Sequence, residues 1–428
     1  MGFNLVIGNP PYIKGGEFTE LKNYLQNDFP NTFSGSADMY VYFVERGTQI
    51  LKPNGFFSYI IPNKWMRAGY GLNMRKFLKI KQLTEIIDFG DLSVFEEATT
   101  YPSILSMTNS LPTKVMNVSN VNTLQFVEGL EAHINQISFQ VSQENFQDEG
   151  WILSDFGTQS LIQKLKKIGN PLAKYTDNSV FRGVLTGFNE AFVIDKETRD
   201  LLILKDINSQ EIIKPFLAGR DVKRYQESVI DKYLIFTRRG IEMDKFPVIL
   251  EYLTSFKEKL MPKPKQFSGN WEGRKEGSYK WYEIQDAVDY YLEFEKSKII
   301  YPNICKKPEF TFDDNQLYTN QKCFIISQDN KYLLGVLNSS VMFFLFRKLL
   351  PELRGNFYEP NYAILKDFPI PISNSEQSIT IEEKVNQILA LKKADSQADT
   401  SELEAEIDLV VYELYELTEE EILIVEGK

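Results

Sequence analysis

Apolar and polar positions alternate between two periods along the first hundred residues. Residues 3–7 (FNLVI) form a short apolar run cut off by Gly8-Asn9-Pro10-Pro11. That pattern predicts a buried strand stopping at a loop. Residues 39–51 (MYVYFVERGTQIL) carry apolar side chains at helical spacing, and Lys-Pro-Asn-Gly at 52–55 ends the helix. Residues 56–61 (FFSYII) read as a strand closed by Pro62, residues 71–81 as a helix, and residues 83–89 and 103–108 as two further strands. Strands and helices alternating at this spacing predict an α/β layer with parallel neighbours.

Beyond residue 110 the pattern changes. Short strand-like runs separated by turns occur at 180–194, 232–237, 298–304 and 323–327, and they predict a mixed α+β second domain. Pro369-Ile-Pro371 followed by Ser-Asn-Ser reads as a linker near 370–376. The remaining tail predicts three short helices, with Thr380/Glu383, Ser401/Glu404 and Thr418/Glu421 at capping-box spacing. Ile381, Val385, Ile388 and Leu389 make one apolar stripe and Leu403, Ile407, Val410, Val411 and Leu414 another, so these helices need a surface to pack on. The expected domains are therefore 1–115, 116–375 and 376–428.

Charge alters this picture less than its total suggests. The 428 residues carry a formal charge of −11, which taken whole argues against a polyanionic partner. Residues 376–428 hold 15 Asp and Glu against 4 Lys and Arg, which leaves 44 of each sign in residues 1–375. The acidity belongs to the tail. Two cysteines exclude a disulfide scaffold, and one histidine speaks against histidine metal sites and a Ser-His-Asp triad. Cys305 and Cys323 are 18 apart with no other Cys or His close by, so no metal site is expected. No run reaches the roughly 20 apolar residues of a membrane span, and no signal peptide is visible, so a cytoplasmic location without a membrane partner is expected.

Asn9-Pro10-Pro11-Tyr12 is the most informative motif. At the carboxyl end of a strand it lies where α/β folds place ligands. The two prolines stiffen the loop and remove two N–H donors. The Asn9 side-chain oxygen and the Pro10 carbonyl are then a pair of acceptors able to hold both hydrogens of a planar amino group. Tyr12 offers a flat stacking face. A rigid strand-to-helix turn with no chemistry is the bland alternative. Asp38 begins the next helix and can be read as a plain N-cap or as a group near a cofactor.

The sequence resembles the second half of an N6-adenine DNA methyltransferase of the type IIG restriction-modification kind. LVIGNPPYI resembles that family's catalytic motif, SADMYVYFVERGTQILKPNGFFSYIIPNKWM (36–66) the helix and strand after it, and VFEEATTYPSIL (94–105) the loop and strand whose aromatic packs on an extruded base. FRGVLTGFNEAFVI, IIKPFLAGRDVKRY, KWYEIQ, LYTNQKCFIIS, LLGVLNSS and LKDFPIP resemble its target-recognition domain. The resemblance implies catalytic roles for Asn9, Pro10 and Tyr12, and base stacking by Tyr12 and Phe95. It implies double-stranded DNA as partner, and Asp38 near S-adenosylmethionine. The family carries its cofactor loop, a Gly-x-Gly, upstream of NPPY. Nothing before Asn9 can form that loop, so the expectation is a partial methyltransferase sheet, an α+β recognition domain and a helical tail. The cofactor half, and possibly a nuclease, would lie elsewhere in the same or another chain. The chain alone is expected not to bind S-adenosylmethionine, although the complete enzyme would. Two rivals stand beside this reading: a non-catalytic DNA-binding specificity module that orients a separate partner, and a protein amide methyltransferase.

Residues 256–282 are the strongest local candidate for DNA contact. Lys257, Lys259, Lys263, Lys265, Arg274, Lys275 and Lys280 outnumber three Glu and interleave with six aromatics, Trp271 among them. Cations answer phosphates, and aromatic rings can stack or wedge. Arg220, Lys223, Arg224 and the Arg238-Arg239 pair are secondary candidates.

Overall fold

The computed structural model describes every residue except 1, 91, 96–99, 114, 147, 149 and 152. It divides into two compact units. The first comprises Met1–Lys164, Arg347–Tyr358 and Gly427–Lys428, the second Leu165–Phe346 and Glu359–Glu426.

The first unit is built on a six-stranded sheet. Its strands are β1 (Phe3–Gly8), β2 (Leu51–Pro62), β3 (Gln82–Asp88), β4 (Pro102–Thr108), β5 (Val115–Asn120) and β6 (Phe139–Ser142), in the order β1-β2-β4-β3-β5-β6. β1 pairs parallel with β2, and β3 with β5. β4 runs antiparallel to both β2 and β3, and β6 antiparallel to β5. The sheet is therefore mixed, and the expectation of parallel neighbours throughout is corrected. β4 follows β3 after residues 89–101 with no helix between them among the described residues, and it returns antiparallel beside it. β1, β2, β3 and β5 share one direction, so the loops following the first three open at one edge. The sheet also continues through β5 and β6, which carries this unit past residue 115 to Lys164.

The helix Met39–Gln49 lies on the sheet because its apolar face presents Tyr40, Val41 and Val44, all fully buried. Full burial of such side chains contributes roughly 1.5–3 kcal/mol each. Gly47 permits the close approach, since a Cβ there would stand 2.5 Å from the Phe57 ring on β2. The first strand departs from expectation. Its apolar run predicts burial, yet Phe3, Leu5 and Ile7 are 61%, 54% and 69% exposed. β1 is an edge strand, and that face is uncovered among the described residues.

The second unit holds two four-stranded sheets around one core. The first contains Val193–Asp195, Ile213–Leu217, Lys232–Ile235 and Tyr318–Thr319; the other Val180–Arg182, Lys298–Pro302, Thr311–Asp313 and Cys323–Ile326. Pro369–Ile370 is no linker. It pairs with Asn170–Pro171, and Ile370 is fully buried. The acidic tail belongs to this unit. Its helices are Ser375–Ala394, Ser401–Leu414 and Glu419–Glu426. Thr418 and Glu421 form the expected reciprocal cap. The first helix instead begins at a capping box of Asn374 and Gln377, which leaves Thr380 inside it, bonded back to the Glu376 carbonyl. In the second, Thr400 holds the N-cap position without a side-chain capping bond, its hydroxyl donating instead to the Glu404 carboxylate at 2.7 Å.

Ile381, Val385 and Ile407 of the tail close over Gly335 in the buried helix Lys331–Leu337. A Cβ at Gly335 would meet the Ile381 side chain at 2.5 Å. Gly335→Val is therefore expected to destabilise the second unit by about 1–3 kcal/mol through overpacking, read as a lower urea midpoint at unchanged slope. An unchanged midpoint would mean that the tail does not pack there.

Candidate functional site

The loops after β1, β2 and β3 carry the motif residues to one edge of the first sheet. Register places Gly8 beside Tyr59 and Ile7 beside Ser58, so Asn9 is the first residue to leave the ladder. Asn9 is exposed, and its side chain has no hydrogen-bond partner among the described residues. Pro10 is buried and Pro11 exposed. Tyr12 is half-buried, donates its hydroxyl to the Ile60 carbonyl at 3.2 Å, and has its pKa pushed up to about 12 by burial. Its ring meets that of Phe95 edge to face, with centroids 6.4 Å apart. Phe95 stands on the loop after β3, 83 positions along the chain. Thus two aromatics singled out from sequence are neighbours, brought together because β2 and β3 flank one antiparallel strand.

The loop after Tyr12 is tied to the start of the Met39–Gln49 helix. Met39 donates its amide to the Ile13 carbonyl at 2.9 Å, and the Gly15 amide donates to Asp38 Oδ1 at 3.2 Å. Asp38 occupies the N-cap position, yet its side chain makes no capping bond. Its carboxylate serves the motif loop instead. Gly15 permits this approach, because a Cβ there would lie 2.6 Å from the Ala37 carbonyl oxygen. Desolvation raises the Asp38 pKa, while the Gly15 amide, Lys64, Tyr70 and Lys14 oppose the rise.

Sequence reading did not single out the residues that follow β2. Asn63 donates its side-chain amide to Asp88 Oδ1 at 2.8 Å, and Asp88 also accepts the Gly90 amide at 3.0 Å. Lys64 is exposed, with its ammonium 5.7 Å from the Tyr101 ring centre. The only signal for them was position, directly after a strand parallel to β1. Asp88 is therefore committed within the protein.

The basic aromatic segment of the second unit divides into contact groups and structural ones. Lys257, Lys259, Lys265, Lys275 and Lys280 are exposed, and Lys263 and Trp271 half-buried. Arg274 does not belong with them. It is 3% exposed and donates to the carbonyls of Leu260, Thr186, Glu283, Lys280 and Trp281. Its guanidinium also lies over the Tyr279 ring at 4.4 Å and the Phe192 ring at 5.5 Å. Five donors in a rigid fork suit such a carbonyl cage, and a phosphate cannot reach it. Arg224 is likewise withdrawn: it pairs with Glu404, donates to the Asn338 carbonyl, and lies over Tyr225. Arg239 donates to Ser278 and to the Gln285 carbonyl. Arg220 remains exposed, 3.7 Å from Asp221, and Lys223 is exposed near Glu309. Cys305 and Cys323 are buried and free, and no group of three or more metal-ligating side chains occurs among the described residues. Nor is any single helix among them long and apolar enough to cross a membrane.

Asp38 carries a testable consequence. A carboxyl whose folded pKa exceeds its unfolded value binds more protons when folded, so its contribution to stability falls as pH rises through that window. Asp38→Asn keeps an acceptor for Gly15 without the desolvated charge. It is expected to match or exceed the parent's stability at neutral pH, with slow amide exchange retained at Gly15. Asp38→Ala is expected to accelerate that exchange and to cost about 0.5–1.5 kcal/mol. Equal exchange in both variants would remove Asp38 from the tether.

With the geometry in view, comparison with known proteins gives a coherent result. Residues 1–95 match the Eco57I restriction-modification methylase family, and residues 214–370 the TaqI-like C-terminal specificity domain. The type II methyltransferase M.BstVI of Geobacillus stearothermophilus is 22% identical over 454 residues, covering 99% of this chain and 75% of its own. M.PaeR7I of Pseudomonas aeruginosa is 23% identical, covering 86% of this chain and 64% of its own. The type IIL restriction-modification enzyme MmeI, solved in complex with DNA, shares the fold at a TM-score of 0.64 and 14% identity, over 99% of this chain and 56% of its own. The chain thus spans three quarters of M.BstVI but less than two thirds of M.PaeR7I and MmeI. It is similar along nearly its whole length to type II methyltransferases of restriction-modification systems.

Proposed function

We propose that this chain carries the target-base side and the DNA-reading part of a site-specific DNA adenine N6-methyltransferase of a restriction-modification system. One observation carries the reading: Asn9 leaves β1 exposed and unpartnered beside the Tyr12–Phe95 ring pair. Asn9 and the Pro10 carbonyl would accept the two hydrogens of the extruded adenine amino group, drawing the nitrogen toward tetrahedral geometry and freeing its lone pair. Extrusion costs a few kcal/mol of unstacking, and stacking on Tyr12 and Phe95 offsets about 1–3 kcal/mol of it. The two rings meet edge to face, so a base stacked against both would require Phe95 to turn aside. Tyr12 has its pKa pushed up to about 12 by burial, which favours the neutral phenol. It therefore offers an uncharged face. S-adenosylmethionine would supply the electrophilic methyl group.

We infer that the cofactor is held by a further segment, in the same protein or in another chain. The support is the face of β1, where Phe3, Leu5 and Ile7 are bare on a free strand edge. An apolar face on a free strand edge is stable when something covers it. A non-catalytic specificity module would have no use for an unpartnered Asn9 at the loop, which favours the enzyme reading. A protein amide methyltransferase has no need of the second unit's cluster of exposed lysines.

In the enzyme completed by that segment, Asn9→Ala is expected to lower methylation at least 100-fold, as for loss of a charge-developing contact, while DNA affinity changes little. Equal loss of DNA binding would contradict the role of Asn9. The present chain alone is expected to give no calorimetric signal with S-adenosylmethionine at micromolar concentration. Low-micromolar binding would overturn the inference of a separate cofactor segment. Methylome sequencing of a host expressing the full-length gene tests adenine specificity directly.

A further inference from the structure

The buried Arg274 raises a question that its lost role as a phosphate contact leaves open. A guanidinium withdrawn from water is costly unless every donor is used, and here the acceptors are backbone carbonyls rather than a carboxylate. Such a cage holds backbone in place. What it holds is the base of the loop 263–273. At that base Lys263 donates its amide to the Arg274 carbonyl and Arg274 its own to the Met261 carbonyl, both at 3.0 Å. The Trp271 indole N–H also donates to the Met261 carbonyl, at 3.1 Å. Gly273 lies so close to Met261 that a Cβ would stand 2.3 Å from its carbonyl oxygen. Pro262 and Pro264 stiffen the outgoing limb, and the Phe267 amide closes a turn on the Pro264 carbonyl at 3.0 Å.

This frame presents Phe267 to solvent at its tip and Met261 at its base. Phe267 is 40% exposed, and its ring is backed edge-on by Trp271 at 5.1 Å. Lys263 and Lys265 precede it on the same loop, and Lys259, Lys275 and Lys280 surround the loop's base. An aromatic tip on a loop fixed at its base, backed by a second ring and preceded in sequence by Lys263 and Lys265, has the chemistry of a wedge entering a base stack between two phosphate strands. A solvated connector would need neither the cage nor the pinch.

We propose that Phe267 inserts into duplex DNA at a base step, with Lys263 and Lys265 answering the flanking phosphates. The proposal rests on the reading of this chain as DNA-binding and adds an unstacking role. Pre-organisation by Arg274 spares the ordering entropy of the loop at the moment of binding.

The test uses the full chain on closed circular plasmid DNA relaxed by a topoisomerase, since insertion unwinds the duplex and phosphate contact alone does not. The parent chain is expected to bind and to shift the plasmid's linking number. Phe267→Ala, at an exposed tip, is expected to abolish the shift and to weaken binding roughly 5- to 150-fold, the equivalent of one lost stack, with the salt slope unchanged. Lys263→Ala combined with Lys265→Ala is expected to lower the salt slope by about two and keep the shift at saturation. Phe267→Tyr is expected to retain it. Binding without any linking shift would overturn the wedge and leave the DNA reading standing. Absence of DNA binding by the parent chain would overturn both.

Discussion

Much of the candidate active edge depends on one pairing, the parallel register of β1 on β2. Gly8 opposite Tyr59 makes Asn9 the first residue beyond the ladder, and the same register brings the Tyr12 hydroxyl to the Ile60 carbonyl. A slip of one residue would turn each side chain of β1 to the other face. Asn9 would then be withdrawn and Tyr12 parted from its anchor. The close packing that locks the register also has a small-residue component. The Tyr59 ring passes 3.1 Å from where a Cβ of Gly8 would be.

Two tethers complete the arrangement from opposite sides. Asp38 gives up an ordinary capping bond to hold the Gly15 amide, and Asn63 is held by Asp88 at the end of β3, across β4. The same economy operates in the second unit. There Arg274 and Arg224, which carry the charge expected of DNA contacts, spend it on backbone carbonyls and on Glu404. Exposed lysines are left to meet an external anion. Arginine suits the internal task because its planar fork saturates several acceptors at once, whereas lysine is a compact, strongly hydrated charge suited to the surface.

The net charge belongs in the same account. The tail's acidity is partly consumed inside the second unit: Glu404 meets Arg224, Glu406 meets Lys384, and Asp408 accepts the Ser340 amide. The total of −11 is therefore a poor guide to what the first 375 residues offer a partner.

Phe95 was reached only through the resemblance to a known family, but the chain order alone determined the strand–loop unit at residues 3–12 and the helix that begins at Met39, because period, prolines and motif are local properties. It also determined that the tail helices would pack, since their stripes are apolar. Tertiary structure decided what local pattern cannot express. An apolar run such as FNLVI reads the same at the centre of a sheet or at its edge, and only pairing revealed the exposed face of Phe3, Leu5 and Ile7. A parallel or antiparallel neighbour leaves little trace in hydrophobic period, so the reversed β4 was invisible. An arginine in a basic run has the same letter whether it meets a phosphate or a cage of carbonyls. Its role is set by atoms from Thr186 to Glu283, nearly a hundred residues apart, which only the fold brings together.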